Sequence, residues 1–141
     1  MSDHHWASPS QLYRLFLCPA SHRMADGLPD TESEYAKEGT RLHNLIRDYL
    51  GDAPVVTLSE DGDSELVLKC DDFLKAHSDG EYQMHYEATL QFIWEGEIIT
   101  EGTIDVLGIS GKQALLIDWK FGHKELNHEA ATFQGYAYAA A

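Results

Sequence analysis

Cysteine, basic residues and long apolar runs are all scarce in this 141-residue sequence, and each scarcity excludes something. Two cysteines, Cys18 and Cys70, cannot build a disulfide scaffold or a four-thiolate metal site. Such usage fits a reducing cytosol, so a cytoplasmic location is expected. Ten Lys and Arg stand against 24 Asp and Glu, a formal charge of -14, which argues against holding nucleic acid by bulk charge. No apolar run approaches the length of a membrane span, so no membrane partner is expected. The opening Met1-Ser2-Asp3-His4-His5-Trp6 lacks the basic start and apolar region of a signal peptide. Internal repeats and low-complexity segments are absent too.

The chain has the length of one domain. Its 43% hydrophobic and 24% charged residues are those of a folded globular protein. The acidity is unevenly placed. Residues 29–101 carry 18 acidic and five basic side chains, whereas residues 1–28 balance and residues 102–141 carry four acidic against three basic. The acidic middle keeps the protein soluble and leaves both ends able to meet a polyanion.

Ser8-Pro9-Ser10-Gln11 reads as a helix start, with Ser8 as cap and Gln11 completing a capping box. Leu12, Leu15 and Phe16 form its stripe, Pro19 ends it, and a polar loop follows. Thr31-Glu32-Ser33-Glu34 opens a second helix, running to Leu50 and stopped by Gly51. Ala36, Gly39, Leu42, Ile46 and Leu50 recur along it at helical spacing. A third helix covers Ser64 to His77. From Tyr82 the period becomes two, giving strands from Tyr82 to Trp94, Ile98 to Ile109 and Gln113 to Phe121. Helix returns from about Asn127. A helical part over about 1–78 thus precedes a sheet and helix over about 80–141, an α+β arrangement with a three-stranded antiparallel sheet flanked by helices.

Hairpin register brings acidic residues together. A two-residue Gly111-Lys112 loop pairs Ser110 with Gln113 and makes Asp105 and Asp118 cross-strand neighbours about 5 Å apart. The same register pairs Val106 with Ile117 and Ile104 with Trp119, apolar with apolar, which supports it independently. Lys120 follows Asp118 by two and shares its face. Like charges placed opposite each other need a compensating partner, and hard divalent ions favour oxygen ligands. The loop at Trp94-Glu95-Gly96-Glu97-Ile98 has two or three residues. Three residues segregate polar from apolar faces, and Glu87 then joins Asp105.

These residues carry a resemblance. Gly102-Thr103-Ile104-Asp105 with Ile117-Asp118-Trp119-Lys120 resembles the core motif of the PD-(D/E)XK nuclease superfamily. Glu38-Gly39-Thr40-Arg41-Leu42-His43 is similar to the histidine motif of its RecB-like branch, and Gln134 with Tyr138 to that branch's Gln-x-x-x-Tyr motif. Ser8-Pro9-Ser10, Cys18-Pro19-Ala20-Ser21 and Ser33-Glu34-Tyr35-Ala36-Lys37 resemble segments of uncharacterised RecB-like proteins of phages and prophages. The short motifs are individually weak and gain weight by their order.

The resemblance implies a restriction-endonuclease-like core and a Mg²⁺- or Mn²⁺-dependent deoxyribonuclease, an exonuclease serving phage or bacterial recombination and repair. By it, His43, Asp105, Asp118 and the backbone carbonyl of Trp119 hold the metal, and Glu87 is a further ligand. Lys120 positions the attacking water, and Gln134 and Tyr138 support the site or the DNA backbone. Relatives with an iron–sulfur cluster use three later cysteines; this chain has none after Cys70, so no cluster is expected. The family fold continues past a last helix like that ending at Ala141, which implies a missing C-terminal segment or a completing recombination partner. The alternative is a non-catalytic DNA-binding or assembly module, or an inactive fragment. Plainer roles stand beside these: Gln134 and Tyr138 as one packing face, Cys18 as a small buried hydrophobe, and Lys120 as a charge partner of Asp118.

Overall fold

The chain runs from a 3₁₀ turn at Pro9–Gln11 through helices α1 (Leu12–Leu17), α2 (Ser21–Ala25), α3 (Glu34–Leu50) and α4 (Asp63–His77). Strands β1 (Gln83–Trp94), β2 (Glu97–Ser110) and β3 (Gln113–Ile117) follow, and helix α5 (His128–Ala140) closes it. The computed structural model describes residues 7–28, 33–51, 53–78, 81–121 and 126–141. The architecture is mixed α+β, with helices flanking an antiparallel sheet of order β1-β2-β3. Among the described residues, no helix is long and apolar enough to cross a membrane.

Two compact units emerge, and they interleave along the chain. One holds α1, α2, the hairpin segment Thr89–Ile104 and α5. The other holds α3, α4, the start of β1, and the chain from Asp105 through β3. The reason lies in β1 and β2, which are 12 and 14 residues long, so each strand serves both units.

In the second unit α3 starts where Ser33 accepts a hydrogen bond from the Ala36 N–H, 3.2 Å away. The cap is therefore Ser33; Thr31, proposed from sequence for a capping box, lies outside the described residues. Leu45 and Ile46 of α3 pack on Val67 and Cys70 of α4, with Leu42, Leu50, Trp119 and Phe121 around them. Leu74 of α4 meets Val106 and Ile117 of the sheet, beside Met84 and Tyr86. Each such side chain, fully buried, contributes about 2 kcal/mol. Burial pushes the Cys70 thiol up to about 11, an inert thiol. Ala36 is exposed, so the apolar face of α3 starts later than its periodicity implies. A Cβ at Gly39 would stand 3.9 Å from the Phe121 carbonyl, an ordinary contact, so the helix does not need glycine there to approach it.

A buried ion pair ties the start of α4 to α3. Asp63 is 3% exposed, and its two oxygens accept from Arg41 Nη1 and Nη2, each at 2.9 Å. Oδ2 also accepts from the N–H groups of Ser59 (2.9 Å) and Glu60 (3.1 Å). Glu38 takes the other edge of the same guanidinium through two 2.7 Å bonds.

In the first unit the Thr100 hydroxyl donates to the Ala7 carbonyl at 2.6 Å. Tyr138 of α5 donates to the Thr103 carbonyl at 2.7 Å. Tyr13 and Phe16 of α1 pack on Phe133 of α5, and Tyr13 also hydrogen-bonds Glu129. Asn127 caps α5 by accepting from the Ala130 N–H at 3.0 Å. Several local expectations fail here. Ser8 makes no capping bond and instead meets the Ser10 hydroxyl at 3.2 Å. The stretch after Pro19 forms α2 rather than loop, and Cys18 is exposed, not buried.

Glu95 and Gly96 have φ of 51° and 83°, the signature of a two-residue hairpin turn, not the three-residue loop preferred from sequence. Yet the Thr89 and Thr103 hydroxyls lie 3.3 Å apart and Gln91 donates to Glu101 at 3.0 Å. Odd-numbered residues of both strands thus share a face, as the longer loop requires. One extra residue in the ladder, a bulge, reconciles the two.

At Gly102 a Cβ would come within 2.7 Å of Pro9 Cδ and 3.2 Å of Tyr138 Cε1. Gly102→Ala is expected to destabilise the protein by about 1–3 kcal/mol through overpacking. Urea denaturation would measure it; an unchanged midpoint would refute this reading of the contact.

Candidate active site

The candidate site lies within the second unit, where β2, the end of β3 and α3 bring their polar residues together. The β2–β3 register runs from Val106 with Ile117 to Ser110 with Gln113, as the Gly111-Lys112 turn predicts. The strand ends at Ile117 instead of continuing to Phe121. The cause is local. The Trp119 N–H donates to Asp105 Oδ2 at 2.6 Å, replacing a ladder bond with a side-chain bond. Asp118 therefore sits one residue past the ladder, opposite the position of Asp105.

His43 reaches the same carboxylate from α3, its Nδ1 lying 2.9 Å from Asp105 Oδ1. An ionised carboxylate only accepts, so Nδ1 carries the proton and a neutral ring keeps its lone pair at Nε2. The imidazole is also fixed against the Phe121 ring, centroids 4.9 Å apart and edge-on. Asp105 is thus oriented by two donors, and each oxygen retains further acceptor capacity.

Asp118 is mostly buried and forms an ion pair with Lys120. Burial pushes its carboxyl above the ordinary range, and the nearby Asp105 charge adds to that. Lys120 and His43 pull in the opposite direction without cancelling it. The Lys120 side chain is 45% exposed, so its charge stays in contact with solvent at the edge of the site.

Glu87 lines one recess with His43, Arg47, Tyr86, Asp105 and Trp119. Its carboxylate pairs with Arg47 Nη1 at 3.1 Å. The sequence-predicted residues His43, Glu87, Asp105, Asp118, Trp119 and Lys120 therefore all fall in the second unit. Gln134 and Tyr138 belong to the first unit, where both are buried in its packing. Arg47 was missed. Its signal was its place four residues after His43, on the same helix face.

Two carboxylates with an imidazole, and a third carboxylate beside them, are the donor types that hard divalent ions accept. Among the described residues no three His, Cys, Asp or Glu side chains already converge as a metal-binding group. Asp105 is turned to His43 and Trp119, Asp118 to Lys120, and Glu87 to Arg47. The set fits such an ion in chemistry, and holding one requires these side chains to turn.

A family model described as "Protein of unknown function (DUF2800)" matches residues 4–101. The match includes His43, Arg47 and Glu87 and ends before Asp105. No curated protein and no solved structure matches the chain.

Proposed function

The chain belongs to the DUF2800 family, whose function is unknown, and from that premise we propose that it is a metal-dependent DNA nuclease. The reading takes it as a PD-(D/E)XK protein of the RecB-like exonuclease branch with a restriction-endonuclease-like core. Its setting is the cytoplasm, in phage or bacterial recombination or repair. One observation carries the proposal: His43 from α3 touches Asp105, which stands beside the Asp118–Lys120 pair. These four are part of the residue set of the motif resemblance, and His43 and Asp105 meet across 62 residues of chain.

In this reading His43, Asp105, Asp118 and the Trp119 carbonyl would hold Mg²⁺ or Mn²⁺, with Glu87 a further ligand. Such an ion neutralises charge on a phosphodiester and acidifies water for in-line attack. His43 presents Nε2 because Asp105 fixes the proton at Nδ1. Lys120 orients the attacking water through Nζ and keeps positive charge beside the phosphate. The same resemblance assigns Gln134 and Tyr138 to support of the site or of the DNA backbone.

The test is degradation of linear DNA with Mn²⁺ or Mg²⁺, using Asp118→Asn as control. Because the folded protein resists the charge on Asp118, the neutral amide should raise the metal-free melting temperature at pH 7. Raised folded-state proton affinity means that wild-type stability gains as pH falls through the shifted Asp118 value, and the variant should lack that gain. Mn²⁺ should raise the wild-type melting temperature by mass action, and the variant should lose both that response and cleavage. Coincident wild-type melting curves with and without millimolar Mn²⁺, together with uncut DNA, would sink the proposal.

A further inference from the structure

Arg47 is the feature of this site that the nuclease motifs do not explain. It lies one helical turn after His43 and lines the same recess as Asp105 and Glu87. Its guanidinium is divided between two tasks. Nε and Nη2 hold Asp48 Oδ1 at 2.8 and 2.7 Å, a pair formed within α3 itself. Nη1 reaches across to the sheet, 3.1 Å from Glu87 Oε2, and also lies 3.0 Å from Asn44 Oδ1. Asp48 therefore anchors the group whether or not Glu87 stays.

Glu87 is held unusually. Its φ is 53°, the left-handed region, inside a strand where extended backbone is the rule. Such a conformation persists where surroundings impose it, and it clusters at functional positions. The ion pair is also weak by construction, since its side chains are 37% and 39% exposed. Half-exposed pairs contribute little and exchange partners readily. With Nε and Nη2 still on Asp48, the Nη1 freed from Glu87 can donate a charge-assisted hydrogen bond to a phosphate oxygen.

We propose that Arg47 is a positioning residue that holds Glu87 away from a divalent ion and, when Glu87 turns to that ion, takes a DNA phosphate in its place. The proposal rests on the nuclease reading for its phosphate, but the exchange at Glu87 is measurable without cleavage. It couples the two ligands: metal frees the arginine, and phosphate on the arginine keeps Glu87 free for metal.

Calorimetric titration of the whole chain with Mn²⁺ tests it. Arg47→Met removes the competitor for Glu87, so Mn²⁺ should bind about fivefold tighter. Arg47→Lys keeps the charge and should return Mn²⁺ affinity towards wild type. DNA binding in Ca²⁺, measured by fluorescence anisotropy, should weaken about tenfold in Arg47→Met and recover only partly in Arg47→Lys, which lacks the guanidinium that Asp48 anchors. A merely structural Arg47 would lower the melting temperature and leave Mn²⁺ affinity unchanged or weaker, and that result in a folded variant overturns the proposal. Glu87→Gln supplies the second check: combined with Arg47→Met it should abolish the gain, and a gain that persists refutes exchange at Glu87. Wild type that binds Mn²⁺ but leaves DNA intact overturns the nuclease reading, while the titrations still decide the exchange. Wild type with no Mn²⁺ binding overturns both.

Discussion

On the proposed nuclease reading, replacing Lys120 by alanine is expected to slow Mn²⁺-dependent DNA hydrolysis by about 10²–10⁴-fold, the range for a positioned proton-handling group. The same change should leave the Mn²⁺-induced rise in melting temperature in place or enlarge it. Lys120 pairs with Asp118, so its removal deletes a competitor for that carboxylate and one positive charge from the site. The metal-free protein should respond differently. Without Lys120, the burial of Asp118 and the charge of Asp105 are opposed only by His43, so the Asp118 carboxyl should titrate higher still. Asp with a raised folded-state value costs stability at neutral pH and ceases to do so as pH falls through that value. The destabilisation by Lys120→Ala should therefore be largest near pH 7 and fade in acid. Single-turnover cleavage and paired melting curves at two pH values separate the two roles. Cleavage retained at the wild-type rate, with stability lost, would leave Lys120 as a charge partner of Asp118 and nothing more.

Asp63→Ala should be the most damaging substitution for stability, at about 3 kcal/mol. The side chain is 3% exposed and receives four hydrogen bonds, two from Arg41 and one each from the Ser59 and Glu60 N–H groups. Alanine strands the two backbone donors and leaves a partly buried guanidinium with Glu38 and the Ser59 hydroxyl only. For a domain of this size the melting temperature should drop by about 10 °C. Arg41 and the two N–H groups hold the Asp63 carboxyl at about 2, against an ordinary 3.8. A depressed folded-state value means that the unfolded chain binds the proton first. The contribution is thus complete above about pH 4 and is lost as pH falls towards 2, and acid unfolding of the variant should lack that segment. Because Arg41 precedes His43 by two residues on α3, the loss should also loosen the helix that presents the imidazole. A drop below 2 °C, judged against the scale of about 3 °C per kcal/mol, would show that Arg41 is adequately served by Glu38, Ser59 and solvent.

Local rules determined most of the elements. Apolar spacing placed α3, α4 and the alternating strands, because burial on one face imposes a period that the sequence must carry. The Gly111-Lys112 turn determined the β2–β3 register, since a two-residue loop leaves no freedom in pairing and a slip would expose Val106 and Ile117. From that register alone Asp105 and Asp118 could be set opposite one another. Cap chemistry was less legible. The sequence offers Ser8 and the Thr31 box as caps, but Ser8 is buried beside Ser10 and the bond that opens α3 is made by Ser33.

Tertiary structure alone decided who holds each carboxylate. That His43 Nδ1 and the Trp119 N–H share Asp105, that Arg41 locks Asp63, and that Arg47 takes Glu87 depend on distances between segments 14 to 62 residues apart. Helical period brings Arg47 to the face of His43, but it says nothing of the strand that face meets. The end of β3 was likewise hidden. Its residues suit a longer strand, and it stops because a side-chain oxygen of Asp105 captures the N–H that would have continued the ladder. Sequence specifies what each segment prefers locally; which polar partners meet is settled by packing, since ion pairs and side-chain bonds form only after the apolar faces have brought their owners together.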